Sequence, residues 1–345
     1  MKSAGKIHYF KILIPMTAKT KKIVVMGGGT GTYTVLRGLK KYPVNLSAIV
    51  AMTDDGGSSG ILRDELGVLP PGDIRQCLVA LSESSEIMRE LFCYRFTKGG
   101  LKGHNLGNLL ISALEKMEGG FDQALEKLHQ ILALQGKVIP VTLNKAKLLA
   151  ELENGKILFG EHEITECKLL RKHPLKRIFL QPKAKINPRA FFAIKEADLI
   201  IIGPGNFYSS LIPLFLVDGV TKALKQTKAK ILYNINLMTK HGQADNSSVF
   251  DFVQTIESYL EKNTIDIVLF NTETPDKKLL NKYNKEGELV KVPSEKNFKK
   301  DGKVFIGKNL LSREIHKQEK SDLLKRTLIR HDSDKLAKTI MEILG

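Results

Sequence analysis

Apolar residues occur along this chain in short runs that are separated by segments with helical spacing. The runs are typical of buried strands, most of them end at Gly, Asn or Asp, and they lie at 22–26, 46–52, 176–182, 198–202, 230–235 and 265–270. Helical spacing predicts helices at 34–41, 74–81, 85–92, 106–117, 121–134, 212–225 and 333–344. Strands that alternate with helices predict an α/β fold of three layers, α/β/α, whose mostly parallel, Rossmann-like sheet is covered on both faces.

The strongest helical pattern belongs to residues 106–117. A stripe of apolar residues is typical of the face by which a helix packs on a core. Here the residues on one stripe are Leu106, Leu109, Leu110, Ala113, Leu114 and Met117.

Two segments depart from this alternation. Residues 135–185 mix strand-like pieces with turn signals at Asn154-Gly155 and Gly160, which predicts a small β excursion. Residues 276–345 are rich in lysine and are expected to pack on the core. With 1–20 as a basic tail, we expect a single α/β domain over 21–345.

Composition narrows the class of protein. The chain has 345 residues, enough for one large domain, and a formal charge of +17, which favours anionic partners. Its lysines are scattered, and it lacks Trp and any aromatic–basic repeat for base stacking, which argues against nucleic acid binding. Three cysteines without a Cys-x-x-Cys pair indicate a reducing, cytoplasmic setting. No apolar segment reaches the roughly 18 residues of a membrane span.

A glycine-rich motif, MGGGTGT at 26–32, follows a predicted strand and opens a helix. Glycines there allow backbone N–H groups at the helix N-terminus to approach a phosphate. The spacing fails the dinucleotide fingerprint, because Thr32 or Thr34 stands where the last glycine or alanine is required, and no P-loop Gly-Lys-Ser/Thr occurs. The alternative is a tight strand–helix turn without a ligand.

A second polar loop, TDDGGSSG at 53–60, follows the strand at 46–52. Asp54 and Asp55 stand at the strand end, where a carboxylate can bind a ribose hydroxyl or a Mg²⁺ ion. Ser58 and the glycines beside it add hydroxyl and amide groups. A solvated loop with ordinary turn chemistry is the alternative, and it accounts poorly for the polar residues that continue through Arg63, Asp64, Asp73 and Arg75.

Two further motifs precede predicted helices. In GHNLGN at 103–108, which ends at Asn108, His104 is a candidate general base or phosphate contact, and a helix cap by Asn105 is the alternative. GPGNFYSS at 203–210 is a second candidate anion cradle or, alternatively, a helix cap. Ligands of parallel sheets bind at the carboxyl ends of strands near the topological switch point. The loops at 27–31, 54–60 and 203–206 are therefore expected to converge.

In their order along the chain these motifs resemble those of the gluconeogenesis factor (YvcK-type) family, which belongs to the CofD-like superfamily of 2-phospho-L-lactate transferase. The stretches that carry the resemblance are MGGGTGTYTVLRGLK, DDGGSSGILRDELGVLPPGDIRQCLVAL, LFCYRF, GHNLGNLLISAL, GPGNFYSSLIPLFLV and IRHDSDKLA. The resemblance covers residues 21–345.

The resemblance implies a UDP-sugar ligand, UDP-N-acetylglucosamine, and a role in gluconeogenic growth, cell shape and peptidoglycan precursor supply. By similarity, three loops and a C-terminal arginine would contact the ligand: Gly28, Gly29, Thr30 and Gly31 at the diphosphate, Asp54 and Ser58 beside it, Gly205, Asn206 and Ser209 in the second loop, and Arg330 at the nucleotide sugar.

The chain departs from the family pattern at several positions. MTKHGQAD at 238–245 has Lys240 and Gln243 at changed positions, Phe252 stands where many relatives have His, and Leu214 where many have Asn. These positions bear on which nucleotide sugar is bound and less on the fold.

Two functions fit these observations. The first is a regulator that binds a UDP-sugar and passes the signal to a protein partner in cell-wall synthesis without chemistry. The second is a phosphotransferase with Mg²⁺ on Asp54 and Asp55, since phosphoryl transfer rests on positioning and charge stabilisation and needs few distinctive residues. The full family pattern favours the regulator. Whether the protein forms a homodimer is not decided by the sequence.

Overall fold

A computed structural model describes residues 20–167, 170, 172–260, 263–283, 287–313 and 329–345. The strands are β1 (Lys22–Gly27), β2 (Asn45–Val50), β3 (Lys137–Pro140), β4 (Lys147–Leu152), β5 (Ile157–Phe159), β6 (Leu175–Gln181), β7 (Leu199–Ile202), β8 (Lys230–Asn234), β9 (Ile267–Asn271), β10 (Asn297–Lys300) and β11 (Lys303–Lys308).

The helices complete the layers on both sides of the sheet. They are α1 (Gly29–Leu39), α2 (Gly57–Leu66), α3 (Gly72–Leu81), α4 (Glu86–Cys93), α5 (Leu106–Glu118), α6 (Phe121–Ile131), α7 (Gly160–Glu166), α8 (Pro188–Glu196), α9 (Ile212–Phe215), α10 (Val220–Gln226), α11 (Val249–Tyr259), α12 (Lys277–Tyr283) and α13 (Ser333–Leu344). A π-helical turn at Phe207–Leu211 leads into α9.

Eight strands form the main sheet in the order β10-β11-β9-β8-β7-β1-β2-β3. All neighbours are parallel except β10, which is antiparallel to β11 at one edge. The central strands are buried along nearly their whole length, as expected for a parallel sheet between two helical layers. The predicted three-layer, mostly parallel α/β fold is confirmed.

The strand order places a topological switch point between β1 and β7. From β1 the chain builds outward through β2 and β3 on one side, and from β7 through β8 and β9 on the other. This is the doubly wound order of Rossmann-like sheets, whose ligands bind in the crevice at the switch point. The loops that follow β1, β2 and β7 are therefore the ones that this topology brings to the binding edge.

The segment at 135–185 is divided between two sheets. Strands β5, β4 and β6 form a separate antiparallel sheet, and α7 follows β5. The first part, Lys137–Pro140, is instead the edge strand β3 of the main sheet, parallel to β2 with Val138 opposite Ala48. A short apolar run fits either sheet, so the sequence pattern did not separate them.

The helix expected at 212–225 is wrong as a single element. Its chain is broken between α9 and α10, where Gly219 has φ 98°. That left-handed conformation is open to glycine at little steric cost and interrupts the helix. The final helix, in contrast, forms over 333–344 as predicted.

Helix α5 forms where its pattern predicts, but the apolar stripe is not its buried face. The buried residues are Gly107, Asn108, Ile111 and Ser112. Leu110 and Met117 are 38% and 76% exposed. The stripe packs on the core only in part, because Leu114 contacts the core whereas Leu110 and Met117 are exposed.

The two ends of the chain determine how far the predicted domain over 21–345 can be followed in the structure. The basic tail at 1–20 lies, apart from residue 20, outside the described residues. At the other end, α13 packs against α1, and β11 pairs with β9. Within the part of the chain that the structure describes, no helix is long and apolar enough to cross a membrane.

Candidate functional site

The glycine loop connects β1 to α1 at the switch point. Gly28 precedes the helix, and Gly29 has φ +63°. A side chain at Gly28 would collide with the carboxylate of Asp73, and one at Gly31 would collide with the backbone carbonyl of Pro204. The loop thus lies between α3 on one side and the loop after β7 on the other, and glycine is required for both approaches.

The first turn of α1 presents its backbone amides at this point. N–H groups there have no carbonyl to bond within the helix, and the helix dipole adds partial positive charge. The Thr30 hydroxyl lies 3.5 Å from Gln76 Oε1, which ties the turn to α3. The local geometry is that of an anion-binding helix N-terminus.

The two aspartates after β2 face different groups. Asp54 Oδ1 accepts from the Gly56 amide at 3.0 Å, and a side chain at Gly72 would collide with Asp54. Asp55 Oδ1 accepts from the backbone amide of His162 at 2.8 Å. Asp54 therefore points toward α3, whereas Asp55 holds the start of α7.

Ser58 joins the Asp54 loop to the segment before α5. Its hydroxyl lies 3.3 Å from His104 Nδ1 and accepts from the Asn105 amide at 3.3 Å. Asn105 caps α5 by accepting from the Asn108 amide at 3.2 Å, so the cap predicted as the alternative is present. His104 and Ser58 are thereby placed together.

Asn108 lies below the surface, where it supports a buried cation. Its Oδ1 accepts from Arg75 Nε at 2.9 Å, while Arg75 Nη1 donates to the Phe92 carbonyl at 3.2 Å. Arg75 is 6% exposed. Its charge lowers the pKa of Asp54, which places the guanidinium near the site.

The second loop is held by an asparagine from the neighbouring strand end. Asn236 Oδ1 accepts from the Gly205 amide at 3.0 Å, and its amide nitrogen donates to the Gly205 carbonyl at 2.8 Å. Asn206 is exposed at the start of the π-helical turn. The Ser209 hydroxyl is buried without a hydrogen-bond partner among the described residues.

Helix α7 brings a further carboxylate to the same place. Oε2 of Glu161 is buried, and no partner of good geometry bonds it within the described ranges. The Ser209 hydroxyl lies close enough to lower the pKa of Glu161 slightly, although neither oxygen makes a regular hydrogen bond. Glu161 is therefore a member of the site that no strand-end motif indicated.

The carboxylates share a poorly solvated space, which raises their pKa values. For Asp54, burial raises the pKa most, the Ser59 and Gly56 hydrogen bonds lower it, and Asp55 raises it again. For Glu161, burial and then the charges of Asp54, Asp73 and Asp55 raise the pKa well above its ordinary 4.5. Both groups resist ionisation first because burial removes water from the charged form, and the neighbouring carboxylates add to this effect.

Metal binding has a partial basis in these residues. Asp54 and Asp55 are adjacent, but their carboxylates point to α3 and α7 respectively. Among the described residues, no three His, Cys, Asp or Glu side chains are arranged to hold a metal ion. A Mg²⁺ ion on Asp54 and Asp55 stays a prediction that would need these side chains to turn.

Arg330 lies apart from the strand-end loops, in a cleft beside α1. The cleft is lined by Tyr33, Thr34 and Arg37 from α1 and by residues 312 and 330–334 from the C-terminal part. The Thr34 hydroxyl donates to the Thr30 carbonyl at 3.0 Å, which links the cleft wall to the first turn of α1. Helix α1 thus borders both the strand-end loops and the cleft that contains Arg330.

Comparison with known proteins identifies the family. The model of the 2-phospho-L-lactate transferase CofD family matches residues 23–311. The chain is 37% identical to the gluconeogenesis factor of Bacillus subtilis over 326 residues, 94% of this chain and 98% of that protein. It is 40% identical to the gluconeogenesis factor of Listeria innocua, over 95% and 98% of the two chains. The chain belongs to the gluconeogenesis factor family.

A solved structure has a similar fold. A crystal structure of a UPF0052 family member from Bacillus halodurans matches with a TM-score of 0.84 and 36% identity. The match covers 94% of this chain and 100% of the other. The similarity of fold thus extends over nearly the whole chain.

The residues at which this chain departs from the gluconeogenesis factor pattern have defined contacts in the structure. Phe252 is buried against Phe207, with 4.5 Å between ring centroids, and Leu214 is fully buried. Lys240 lies 3.4 Å from Glu166 of α7, and the amide nitrogen of Gln243 is buried without a partner in the described part. Phe252 and Leu214 pack behind the second loop, whereas Lys240 contacts α7.

Sequence reasoning missed three residues that the gluconeogenesis factor fold brings to the site. Asp73 follows the Leu-Pro-Pro-Gly motif, and its place in that polar run was a usable signal. Asn236 follows a strand, which was a weaker signal. Glu161 lies in an ordinary polar segment of the small sheet, and local sequence offered no signal for it.

Proposed function

We propose that this protein binds a UDP-sugar, UDP-N-acetylglucosamine, at the switch point and acts as a regulator without chemistry. The observation that carries the proposal is the meeting of the loops after β1, β2 and β7. Gly31 approaches Pro204, the Thr53 hydroxyl donates to the Ser209 carbonyl at 3.5 Å, and α3 contacts both Gly28 and Asp54 through Asp73 and Gly72. Such a crevice is the usual ligand site of doubly wound sheets.

The diphosphate fits the first turn of α1. The amides of Gly29, Thr30 and Gly31 would donate to phosphate oxygens, helped by the helix dipole. Asp54 is suited to a sugar or ribose hydroxyl, because a carboxylate accepts hydrogen bonds from hydroxyl groups. Gly205 and Asn206 would face the ligand from the second loop, and Arg330 would reach it along α1.

The charge balance of the site is part of the proposal. A diphosphate brings negative charge beside Asp54, Asp73 and Glu161, and two charges about 4 Å apart interact by about 4 kcal/mol near a protein surface. A proton on Glu161, whose pKa is raised, removes one of the negative charges. Arg75 supplies a nearby buried cation.

The hydrogen bonds of Asp54 and Asp55 favour regulation over catalysis. Each of Asp54 and Asp55 accepts a hydrogen bond from a backbone amide, so their oxygens already hold loops in place. The second candidate, a Mg²⁺-dependent phosphotransferase, is supported by the match to the CofD family. It would require Asp54 and Asp55 to exchange these bonds for a metal ion.

The proposed cellular role is drawn from the proteins to which this chain is similar. Three proteins named gluconeogenesis factor are 37–40% identical to this chain over 94–95% of its length. We propose that ligand occupancy informs a protein partner in cell-wall synthesis, and that loss of this protein impairs gluconeogenic growth, cell shape and peptidoglycan precursor supply.

Calorimetric titration tests the ligand. UDP-N-acetylglucosamine, GDP and NAD are titrated into the full chain with and without Mg²⁺, and phosphorus NMR follows the fate of the nucleotide. Saturable binding of the intact UDP-sugar is expected. Cleavage, or Mg²⁺-dependent preference for GDP, would favour the transferase, and the absence of binding would overturn the UDP-sugar proposal.

A matched pair of variants tests the site. Asn206→Ala should weaken UDP-N-acetylglucosamine binding roughly tenfold, the scale of one hydrogen bond to a charged group. Asn297→Ala, also at an exposed asparagine but on the edge strand β10, should leave it unchanged. Equal effects of the two would place the ligand elsewhere.

A further inference from the structure

The contact between α7 and the π-helical turn contains side chains with buried polar atoms. Oε2 of Glu161 and Oγ1 of Thr165 on α7, and Oγ of Ser209 in the turn, are buried and have no hydrogen-bond partner within the described ranges of the chain. Ser209 as a whole residue is 0% exposed. Native proteins satisfy the large majority of their buried polar atoms, so three unsatisfied ones at one contact indicate a binding site. These three residues are here called the α7 subsite.

Neighbouring loops fix the arrangement of the α7 subsite. Glu161 and Thr165 are four positions apart on α7 and therefore lie on the same face of the helix. The Ser209 hydroxyl lies close enough to Glu161 to lower the pKa of its carboxyl group. The Thr53 hydroxyl donates to the Ser209 carbonyl at 3.5 Å, and Asp55 holds the start of α7 by a hydrogen bond of 2.8 Å. Both walls are thus attached to the segment after β2, which reduces the entropy that binding would cost.

The α7 subsite adjoins the place proposed for the diphosphate. Glu161 lies near Asp54 and Asp73, whose charges raise its pKa. Asp73 in turn faces Gly28, because a side chain at Gly28 would collide with its carboxylate. A group attached to a phosphate at the first turn of α1 is therefore within reach of α7.

The chemistry of the α7 subsite matches a carbohydrate. A carboxyl group and two hydroxyl groups offer both acceptors and donors, which is the complement of a ring with several hydroxyl groups. A phosphate would be repelled by Glu161 and the carboxylates beside it. An apolar group would leave all three buried polar atoms unsatisfied.

The other border of the diphosphate site differs in chemistry. The cleft beside α1 is lined by the aromatic side chain of Tyr33 and by Arg37 and Arg330. Arginine stacks on planar rings and pairs with phosphate, and aromatic side chains stack on bases. The cleft therefore suits the nucleoside end of a nucleotide sugar, which leaves the α7 subsite for the sugar end.

We propose that the α7 subsite binds the sugar of the nucleotide-sugar ligand, with Glu161, Thr165 and Ser209 hydrogen-bonded to its ring substituents. The inference rests on the proposed UDP-sugar ligand and adds which end of it lies at α7. Helix α7 is then the element that distinguishes one nucleotide sugar from another, whereas the glycine loops bind the diphosphate that all such ligands share.

Calorimetric titration of the full chain with UDP-N-acetylglucosamine and with UDP tests the assignment, because UDP lacks the sugar. The wild type is expected to bind the UDP-sugar at least tenfold more tightly than UDP. Thr165→Val and Ser209→Ala, which leave the charge of the site unchanged, should each weaken UDP-sugar binding roughly tenfold and leave UDP binding unchanged. Thr255→Val is the matched control, since the Thr255 hydroxyl donates to the Asp251 carbonyl of its own helix at 2.8 Å.

The outcomes separate this inference from the proposed function. A wild type that binds neither compound overturns the proposed function and this inference with it. Equal affinity for the two compounds, or variants that bind the UDP-sugar as the wild type does, overturns the inference alone, and the buried atoms then hold water only. Equal weakening for both compounds would show a general disturbance of the site and also overturns it. Circular dichroism melting checks folding, and if one variant does not fold, the other decides.

Discussion

Glu161 has an environment that only the folded chain creates. Its carboxyl group lies near Asp54, Asp73 and Asp55, and burial is the largest cause of its raised pKa. A carboxyl group whose pKa is raised on folding stabilises the fold below its ordinary pKa of 4.5, and this stability is lost as the pH rises through the folded value. Burying Glu161 in this site therefore costs stability at neutral pH, where the carboxyl group of the unfolded chain would release its proton.

Glu161→Gln should raise the free energy of unfolding at pH 7 by about 1.4 kcal/mol for each pH unit, within the range from 4.5 to 7, by which folding raises the pKa of Glu161, because the amide does not ionise. The gain should vanish below pH 4.5. Urea unfolding at several pH values measures it. Glu153→Gln, exposed in the turn of the small sheet, is the control and should show no such gain; an equal gain in both would contradict the burial argument.

The stability that His331 contributes depends on pH in the opposite direction from that of Glu161. Burial lowers its pKa from 6.5 to about 4, and the Ile235 backbone offsets part of this. Its contribution to stability is complete above pH 6.5 and is lost as the pH falls through about 4.

Between pH 7 and 4 the wild-type free energy of unfolding should therefore fall by about 3 kcal/mol more than that of His331→Asn. Chemical denaturation across this range measures the difference. His129→Asn, at an exposed position on α6, should follow the wild type. If His331→Asn and wild type lose stability in parallel, His331 does not titrate as a buried group.

At the scale of elements, helix caps connect folding to the site. Asn105 caps α5 and also donates to the Cys93 carbonyl at 2.9 Å. Asn187 caps α8 in the same way, accepting from the Arg189 amide at 3.0 Å, and its backbone N–H donates to the Val141 carbonyl after β3. These two asparagine caps of described helices have equal chemistry, and of the two the first adjoins His104.

Asn105→Ala should lower the free energy of unfolding by about 1–2 kcal/mol and also weaken UDP-N-acetylglucosamine binding, because His104 loses its support. Asn187→Ala should cost similar stability and leave binding unchanged. Denaturation and calorimetry together measure both. Loss of binding in both variants would show that affinity follows global stability.

For the molecule as a whole, the first and last helices are packed together. A side chain at Gly38 of α1 would collide with the Ser333 carbonyl and approach Ala337 of α13. The same two helices border the cleft that holds Arg330. The two ends of the described chain therefore define one packing contact that supports a candidate ligand residue.

Gly38→Ala should lower the free energy of unfolding by about 1–3 kcal/mol, because overpacking forces α1 and α13 apart. Gly100→Ala is the control, since a side chain there meets nothing within 4 Å. Thermal denaturation measures the difference. Wild-type stability in Gly38→Ala would contradict the close approach of the two helices.

Local sequence by itself determined most elements and the loops that carry the chemistry. Periodicity depends on residues a few positions apart, so α13 and the central strands β1, β7 and β8 form within a residue or two of their predicted ranges. Glycine loops after β1 and β7 were predictable for the same reason, because strand, turn and helix signals lie together in the chain.

The tertiary structure alone decided how distant segments are combined. Lys137–Pro140 joined the main sheet and not the small one, Glu161 entered the site from α7, and Leu110 and Met117 of the α5 stripe were left exposed. Each of these depends on contacts between residues far apart in the chain. Local pattern specifies that an apolar face exists, whereas topology and packing specify which residues of that face are covered.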